Sequence, residues 1–177
     1  MASGLKEEKI GIFETIKRRR SIRKYAKEPV SENLISKILK AGRWAPSAGN
    51  SQPWSFIVLR DGEVRRKIAD ATTTGKFLAN APIGIAVVID PRASKHPVED
   101  GSIATQNMLL AAHALGLGAC WIGAYTSVYE KRVKETLGIP KDKRLLSIIS
   151  IGFPAESPMK TRKELGEIVF TDRYGRK

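Results

Sequence analysis

The chain has 177 residues, of which 42% are apolar and 28% are charged, a composition that excludes a disordered or low-complexity protein. The 31 lysines and arginines outnumber the 18 acidic residues, which gives a formal net charge of +13. A compact chain of this length buries about 70% of its extended surface, so we predict one domain spanning residues 1–177. No apolar run reaches the roughly 20 residues of a membrane-spanning helix, the first nine residues are polar, and Cys120 is the only cysteine, which excludes an internal disulfide. We therefore predict a soluble protein of the cytoplasm.

Hydrophobic periodicity predicts helices and strands that alternate along the chain. One helix starts after Ser31, a good N-cap, and ends before Pro46. Residues 83–89 are almost all apolar, which is typical of a strand covered on both faces. About four strands are too few for a large doubly wound sheet. In chain order we predict helices over residues 10–20 and 32–43, a loop over 46–53, a strand over 54–59, a helix over 63–72, a strand over 83–89, a helix over 97–117, a strand over 119–122, a helix over 128–137, and strands over 145–151 and 168–170.

The helix predicted over residues 97–117 is apolar on nearly every side from Met108 onward, except at His113. A helix of this kind belongs in a core or at a subunit interface. Both interpretations stay open: part of its surface meets a second copy of the chain, or the helix lies wholly within the core of a monomer.

The positive charge has three possible explanations. The densest block, residues 17–27, could bind nucleic acid, end a solvated helix, where cations are favoured by about 0.3–1 kcal/mol each, or hold a small phosphorylated ligand. No zinc-finger, basic-zipper or RNA-recognition signature accompanies it. Charge alone does not decide among these three.

Several common catalytic sites are not supported. The glycines of Gly116-Leu117-Gly118 follow a helix and precede a strand, the reverse of a Rossmann fingerprint, so they are better explained as a helix C-cap. Only two histidines are present: His96, and His113, which we expect to be a satisfied interior side chain. Cys120 lies in an apolar run and is expected to be buried and inert. We predict no metal site and assign no catalytic acid, base or nucleophile.

Three separated segments have complementary chemistry. Arg19-Arg20-Ser21-Ile22-Arg23 carries guanidinium groups that could chelate a phosphate. The loop over residues 46–53 is rich in hydroxyl, amide and backbone donors, although such residues also suit ordinary turns. Residues 160–163 form a basic turn that could grip a phosphate or simply be solvated.

Together these segments resemble the nitroreductase family of flavin enzymes. The resemblance covers nearly the whole chain and depends on the order and spacing of short motifs. It implies an α+β fold, a three-layer α/β/α sandwich whose small, mixed, mainly antiparallel sheet is completed by a C-terminal segment, around residues 168–170, exchanged in a homodimer. The motifs are residues 19–23, 46–54, 114–118 and 120–123, and Gly152-Phe153-Pro154 before Arg162.

The resemblance also implies two FMN molecules at the subunit interface. Ile122 and Gly123 would lie beside the isoalloxazine ring, and Lys76, a looser match, would point toward the flavin or the substrate. The phosphate and ribityl chain would meet one subunit's Arg19, Arg20, Ser21, Arg23, Lys160 and Arg162. The other subunit would contribute Pro46, Ser47, Ala48 and Asn50 to the FMN site.

The implied activity is ping-pong transfer of reducing equivalents from NADH or NADPH through FMN to nitroaromatics, quinones or a similar small electron-poor acceptor. The chain lacks room for a long insertion after Lys76 that would cover the active site, so deiodination and flavin fragmentation are not favoured. Two alternatives stay open: a flavin-binding protein with little turnover, and a basic nucleic-acid-binding module.

Overall fold

A computed structural model describes residues 11–177. Within this range no helix is long and apolar enough to cross a membrane. Two short 3-10 turns, Ala48–Asn50 and Lys76–Asn80, interrupt the loops. The helices and strands, in chain order, are α1 (Ile12–Arg18), α2 (Glu32–Arg43), β1 (Trp54–Leu59), α3 (Gly62–Ala71), β2 (Ile83–Ile89), α4 (Pro97–Ala114), β3 (Gly118–Gly123), α5 (Glu130–Leu137), β4 (Arg144–Gly152) and α6 (Leu165–Ile168).

The four strands form one sheet in the order β1-β2-β4-β3, and all three pairings are antiparallel. β2 is central and is buried at every position, as its apolar sequence predicts. A single parallel bridge joins Ser21 to Ala119 at the free edge of β3. The sheet is therefore mixed and mainly antiparallel, and its two edges are β1 and β3.

Helices cover both faces of the sheet. On one face, Ile38 of α2 and Met108 of α4 pack against Ile149 of β4. On the other face, α3 and α5 pack against the preceding residue of the same strand, Ile148. Because successive strand residues point to opposite faces, one apolar strand supplies both cores. The predicted α/β/α sandwich is confirmed.

Most of the predicted elements are confirmed, with shifts at their ends. Ser31 caps α2, since its Oγ accepts a hydrogen bond from the backbone N–H of Leu34 at 3.4 Å. Helix α4 ends at Ala114, three residues earlier than predicted, because Gly116 turns the chain with φ +78°. Residue 10, the predicted start of the first helix, lies outside the described residues.

The strand predicted over residues 168–170 is wrong for the single chain. A short helix, α6, stands at Leu165–Ile168 instead. Its cause is a capping box, in which the backbone N–H of Glu164 donates to Glu167 Oε1 at 2.9 Å while the Glu164 side chain accepts in return. This local pattern overrides the apolar run that follows.

Helix α4 serves mainly as a core helix of the chain itself. Its residues Met108, Leu109 and Ala112 are fully or nearly fully buried against the sheet. The opposite side leaves Ile103 39% exposed, and Leu110 half-buried. The core interpretation therefore accounts for the sheet-facing side of α4, and only a narrow apolar strip stays uncovered.

Larger apolar side chains are exposed at the two ends of the described chain. Phe13 of α1 is 83% exposed, and Leu165 of α6 is 72% exposed. Exposed apolar clusters of this kind mark surfaces that bind something apolar. Those with at least half of their surface exposed in these two regions are Ile12, Phe13, Ile16, Leu165, Ile168, Val169 and Tyr174.

Gly118 gives a direct test of how closely residues 19–23 pack against β3. A Cβ at Gly118 would stand 2.8 Å from three carbon atoms of Ile22, so Gly118→Ala must push that segment off the strand. We expect the free energy of unfolding in urea to fall by about 1–3 kcal/mol. The matched control is Gly166→Ala, where nothing lies within 4 Å; it should change by less than about 0.5 kcal/mol. Equal effects of the two substitutions would contradict the close packing.

Candidate functional site

The arginine segment, residues 19–23, is held against the sheet by backbone contacts. The backbone N–H of Ile22 donates to the Ala119 carbonyl at 3.0 Å, next to the parallel bridge. Glu156 then fixes the end of the segment, since its Oε1 accepts from the backbone N–H groups of Arg23 at 2.5 Å and Lys24 at 3.2 Å. These two backbone bonds, the one from Arg23 above all, lower the pKa of Glu156. These bonds hold the segment through its backbone. Among its guanidinium groups, only that of Arg20 forms hydrogen bonds within residues 11–177, to the carbonyls of Lys17 and Arg19.

The arginine segment and the C-terminal region meet around a cavity of about 140 Å³, the cationic cavity. Sequence reasoning placed six of its lining residues in one site, and the structure brings these six together. No acidic side chain lines it within the described range 11–177. The lining residues are Arg19, Arg20, Ser21, Arg23, Pro158, Lys160 and Arg162.

The lysine and arginine side chains that line the cationic cavity form no salt bridge within residues 11–177, and the Glu156 carboxylate beside Arg23 accepts from its backbone N–H. Burial lowers the pKa of Arg19, and the nearby charges of Arg162 and Arg20 lower it further. Arginine stays protonated at any physiological pH, so mutual repulsion persists until an anion enters. A cavity of this size with several guanidinium groups fits a phosphate, which accepts paired hydrogen bonds from arginine.

Cys120 lies beside the cavity and is inert, as expected. It is only 2% exposed. Burial raises the pKa of its thiol, although the charge of Arg23 acts in the opposite direction. A thiol that stays protonated is a poor nucleophile.

The side of the site next to β3 is apolar and tightly packed. The Arg23 guanidinium lies 5.6 Å from the centre of the Phe77 ring, a cation–π contact. Ile122 is 2% exposed, and its side chain belongs to the core. Gly123 is exposed, and its carbonyl accepts a hydrogen bond from the Tyr129 hydroxyl. Any ligand here would meet the backbone of this strand end and not the Ile122 side chain.

Lys76 is tied to its own neighbourhood. Its Nζ donates to the carbonyl of Asp70, at the end of α3, at 2.9 Å. In this position the ammonium group lies at the protein surface. Lys76 lines none of the cavities next to the arginine segment.

The amide loop, residues 46–53, is rigid and strained. Gly49, Asn50 and Gln52 all have positive φ, of 58°, 55° and 47°. Asparagine tolerates this region, whereas for glutamine it costs about 1–3 kcal/mol. The Ser47 Oγ accepts from the backbone N–H of Gln52 at 3.0 Å, which closes the loop on itself. Backbone strain of this size is typical of loops at functional sites.

Asp100 anchors the amide loop, a role that the sequence did not reveal. Its carboxylate is 3% exposed, and it accepts from the backbone N–H of Ala48 at 3.0 Å and from the hydroxyl of Ser94 at 2.5 Å. The amide of Ala48 is therefore committed within the chain. The only sequence signal for this contact was an acidic residue in the first turn of α4, which is common for helices in general.

A single chain does not bring the two halves of the predicted site together. The amide loop leads into β1, whereas the arginine segment lies along β3, and these strands are opposite edges of the sheet. β1 and β3 are three strand spacings of about 4.8 Å apart, so about 14 Å separates these two strands. Pro46, Ser47, Ala48 and Asn50 thus lie apart from the cationic cavity.

His113 differs from its sequence prediction. It is half-buried, and its Nε2 is buried without a hydrogen-bond partner among the described residues. Burial lowers the pKa of His113, and the charges of Arg19 and Arg20 lower it further. The expectation of a satisfied interior histidine is wrong, because Nε2 has no hydrogen-bond partner among the described residues and the charges that act on the ring are those of arginines.

Comparison with known proteins agrees with this architecture. The sequence profile of the nitroreductase family matches residues 16–75 and 70–153, which include the arginine segment and the amide loop. The chain is 48% identical over 143 residues to the "Putative NADH dehydrogenase/NAD(P)H nitroreductase" of Archaeoglobus fulgidus, covering 78% of this chain and 82% of that one.

Two solved structures are similar over most of the chain. The FMN-dependent nitroreductase from Clostridium difficile R20291 has a TM-score of 0.86 at 35% identity, covering 90% of this chain and 98% of that one. The NADPH:FMN oxidoreductase from Vibrio harveyi, complexed with NAD+, has a TM-score of 0.82 at 27% identity, covering 92% of this chain and 77% of that one.

The anchoring role of Asp100 predicts a local effect. Asp100→Ala removes the acceptor of the Ala48 amide, so we expect that amide to exchange with deuterium about 10-fold faster. Asp100→Asn keeps an acceptor and should preserve slow exchange. The control is Asp61→Ala, which removes a comparable bond to the backbone N–H of Glu63 at the start of α3. If Asp100→Ala leaves the exchange of Ala48 unchanged, Asp100 does not hold the loop.

Proposed function

The chain belongs to the nitroreductase family, and on this premise we propose an FMN-dependent oxidoreductase of the cytoplasm. It passes reducing equivalents from NADH or NADPH to nitroaromatics, quinones or a similar electron-poor acceptor in a ping-pong sequence. The observation that carries the proposal is the cationic cavity, where the arginine segment, Lys160 and Arg162 bring positive charges together and no acidic side chain of the described residues lines the wall. The similar proteins named for FMN and NADPH support the same choice of cofactor and electron donor.

The residues around the cationic cavity fit the phosphate end of FMN. Arg19 and Arg162 repel each other until a dianion lies between them. Lys160 adds a point charge, and the Ser21 hydroxyl can donate to a ribityl or phosphate oxygen. Binding of the phosphate would therefore relieve the repulsion between these arginines, and this relief would contribute to affinity.

Bound flavin supplies the hydride chemistry that the side chains lack. The chain would orient the isoalloxazine ring of the flavin and place positive charge beside it. Arg23 is fixed between Phe77 and the backbone clamp of Glu156, so its positive charge is available for the electron-rich edge of the ring. We assign no side chain as an acid or base, because solvent can supply the protons.

The amide loop would complete the site from a second copy of the chain. The Ser47 hydroxyl keeps its proton free to donate, because the only bond recorded for its oxygen among the described residues is one that it accepts. Asn50 is exposed, and its side-chain amide can both donate and accept hydrogen bonds. Ala48 would contribute through its place in the loop and not through its backbone N–H, because that N–H already donates to Asp100.

A homodimer follows from this division of the site. Each chain carries one arginine segment and one amide loop at opposite edges of the sheet, so two copies in two-fold symmetry form two complete sites. The exposed apolar side chains of α1 and of the C-terminal region, such as Phe13 and Leu165, give a second copy a surface to cover. In the dimer, the segment around residues 168–170 would cross to the partner and extend its sheet.

The absorption spectrum of the purified protein tests this function. We expect a yellow protein with flavin absorption that bleaches with NADH or NADPH under argon and returns when a quinone or nitroaromatic is added. Flavin that resists both nucleotides would instead indicate a binding protein with little turnover. A colourless protein that takes up no FMN, and that binds DNA or RNA with steep salt dependence, would support a nucleic-acid module.

Single substitutions test the assignment of the cationic cavity. Arg19→Ala or Arg162→Ala removes charge-assisted hydrogen bonds, so we expect FMN to bind about 10- to 100-fold more weakly. The far-UV circular dichroism should not change, because the one backbone contact of these two guanidinium groups within the described residues is local, from Arg162 Nη1 to the Thr161 carbonyl. The matched control is Arg66→Ala on α3, whose guanidinium pairs only with Glu63. Unchanged FMN affinity in both Arg19→Ala and Arg162→Ala would contradict the assignment.

A further inference from the structure

One acidic side chain, that of Glu156, lies among the cations around the arginine segment. Arg18 and Arg20 line the same cavity as Glu156. Within residues 11–177 the Glu156 carboxylate forms no salt bridge. Its Oε1 accepts instead from two consecutive backbone N–H groups, those of Arg23 at 2.5 Å and Lys24 at 3.2 Å. Glu156 therefore holds the backbone of the segment, and it does not pair directly with any guanidinium group.

The two N–H groups that Glu156 binds lie in a gap between other backbone contacts. Before the gap, the N–H of Ile22 donates to β3, and after it the N–H of Ala26 donates to the Phe153 carbonyl at 2.9 Å. Both N–H groups in the gap have no other acceptor among the described residues. Because a carboxylate that accepts from backbone N–H groups forms strong, charge-assisted bonds, Glu156 fixes the point from which the Arg23 side chain leaves the backbone.

The position of the Arg23 guanidinium depends on this backbone anchor. Arg23 is exposed, and the contact recorded for its guanidinium is with the Phe77 ring, 5.6 Å from the ring centre. Phe77 lies in the turn that follows Gly75, where a Cβ would stand 2.9 Å from Cγ2 of Ile122. The turn therefore packs on Ile122, and the guanidinium lies on the side of that end of β3. This is the end at which the proposed function places the flavin ring.

We propose that Glu156 is a positioning residue that clamps the backbone of Arg23, holds its guanidinium beside the flavin ring, and so raises the reduction potential of the bound flavin. This rests on the proposed function, since the ring is that of FMN. Hydride transfer from NADH or NADPH brings two electrons and one proton, so the ring gains one negative charge. A cation fixed beside the ring stabilises the reduced form more than the oxidised form. Glu156 acts on this balance through Arg23.

Two substitutions of Glu156 separate its position from its charge. Glu156→Ala removes the acceptor of both N–H groups, so the preference for reduced over oxidised flavin should fall about 10-fold, which lowers the potential of this two-electron couple by about 30 mV. Glu156→Gln keeps an oxygen that accepts from the backbone and loses only the charge, so the preference should stay within about 2-fold of the wild type. The measurement is an anaerobic redox titration of the FMN-loaded protein against a dye of known potential.

Further variants test whether Glu156 acts through Arg23. Arg23→Gln should lower the potential by a similar amount, and Glu156→Ala added to Arg23→Gln should change it by less than about 2-fold, because the two residues act as a unit. The matched control is Asp61→Ala, which removes a carboxylate that accepts from the backbone N–H of Glu63 at 2.7 Å, and it should leave the potential unchanged. If Glu156→Ala does not fold, Glu156→Asp replaces it, since Asp keeps the charge but is too short to reach both N–H groups.

The same measurements separate this inference from the proposed function. If the protein binds no FMN, both fail. If FMN binds, and Glu156→Ala weakens oxidised and reduced flavin equally so that the potential does not move, only the inference fails. It also fails if Glu156→Gln shifts the potential as much as Glu156→Ala does, because the charge of Glu156 would then act directly. An equal effect of Glu156→Ala with and without the Arg23 guanidinium would overturn it as well.

Discussion

The rest of the structure depends on the attachment of the arginine segment to the free edge of β3. One parallel bridge from Ser21 to Ala119, the bond from Ile22, and the Glu156 clamp hold this segment through its backbone. The guanidinium groups of Arg19 and Arg23 take no part in these backbone bonds. The opposite edge strand, β1, follows the amide loop, so the sheet holds the two halves of the proposed site at its two edges. We propose that a complete site requires two copies.

Electrostatic repulsion between clustered cations destabilises the folded chain, and in this structure such repulsion acts among the arginines of the cationic cavity. The pKa of Arg19 is lowered first by burial and then by Arg162 and Arg20, which shows that cations lie close together here. Elsewhere on the chain cations pair with acids, as Arg144 does with the buried Glu130 at 2.7 Å. The net charge of +13 is thus not one uniform basic surface. One group of cations lines the cationic cavity, where a small phosphorylated ligand would account for it.

The sequence predicted elements whose causes are local. The cap at Ser31 and the apolar run of β2 depend on neighbouring residues, so periodicity and capping rules found both. Three features escaped: the bond from Ala48 to Asp100, the unpartnered nitrogen of His113, and the helix at Leu165–Ile168. The first two depend on contacts across 52 residues or on loop placement, which no periodic pattern encodes. The third was open to sequence reasoning, since Glu164 and Glu167 form the capping box, but the apolar run after them pointed to a strand.

The central claim is that each site takes its arginine segment from one chain and its amide loop from the other. Co-expression of an Arg19→Ala/Arg162→Ala chain with a Ser47→Ala/Asn50→Ala chain, under two different affinity tags, isolates the mixed dimer. In this dimer one site carries both defects and the other carries none. The measurement is the flavin content of the mixed dimer against that of each parent dimer. One tightly bound FMN per mixed dimer, with weak binding in both parents, is the predicted result. Equally weak binding in all three dimers would show that a single chain supplies the whole site, which contradicts the account.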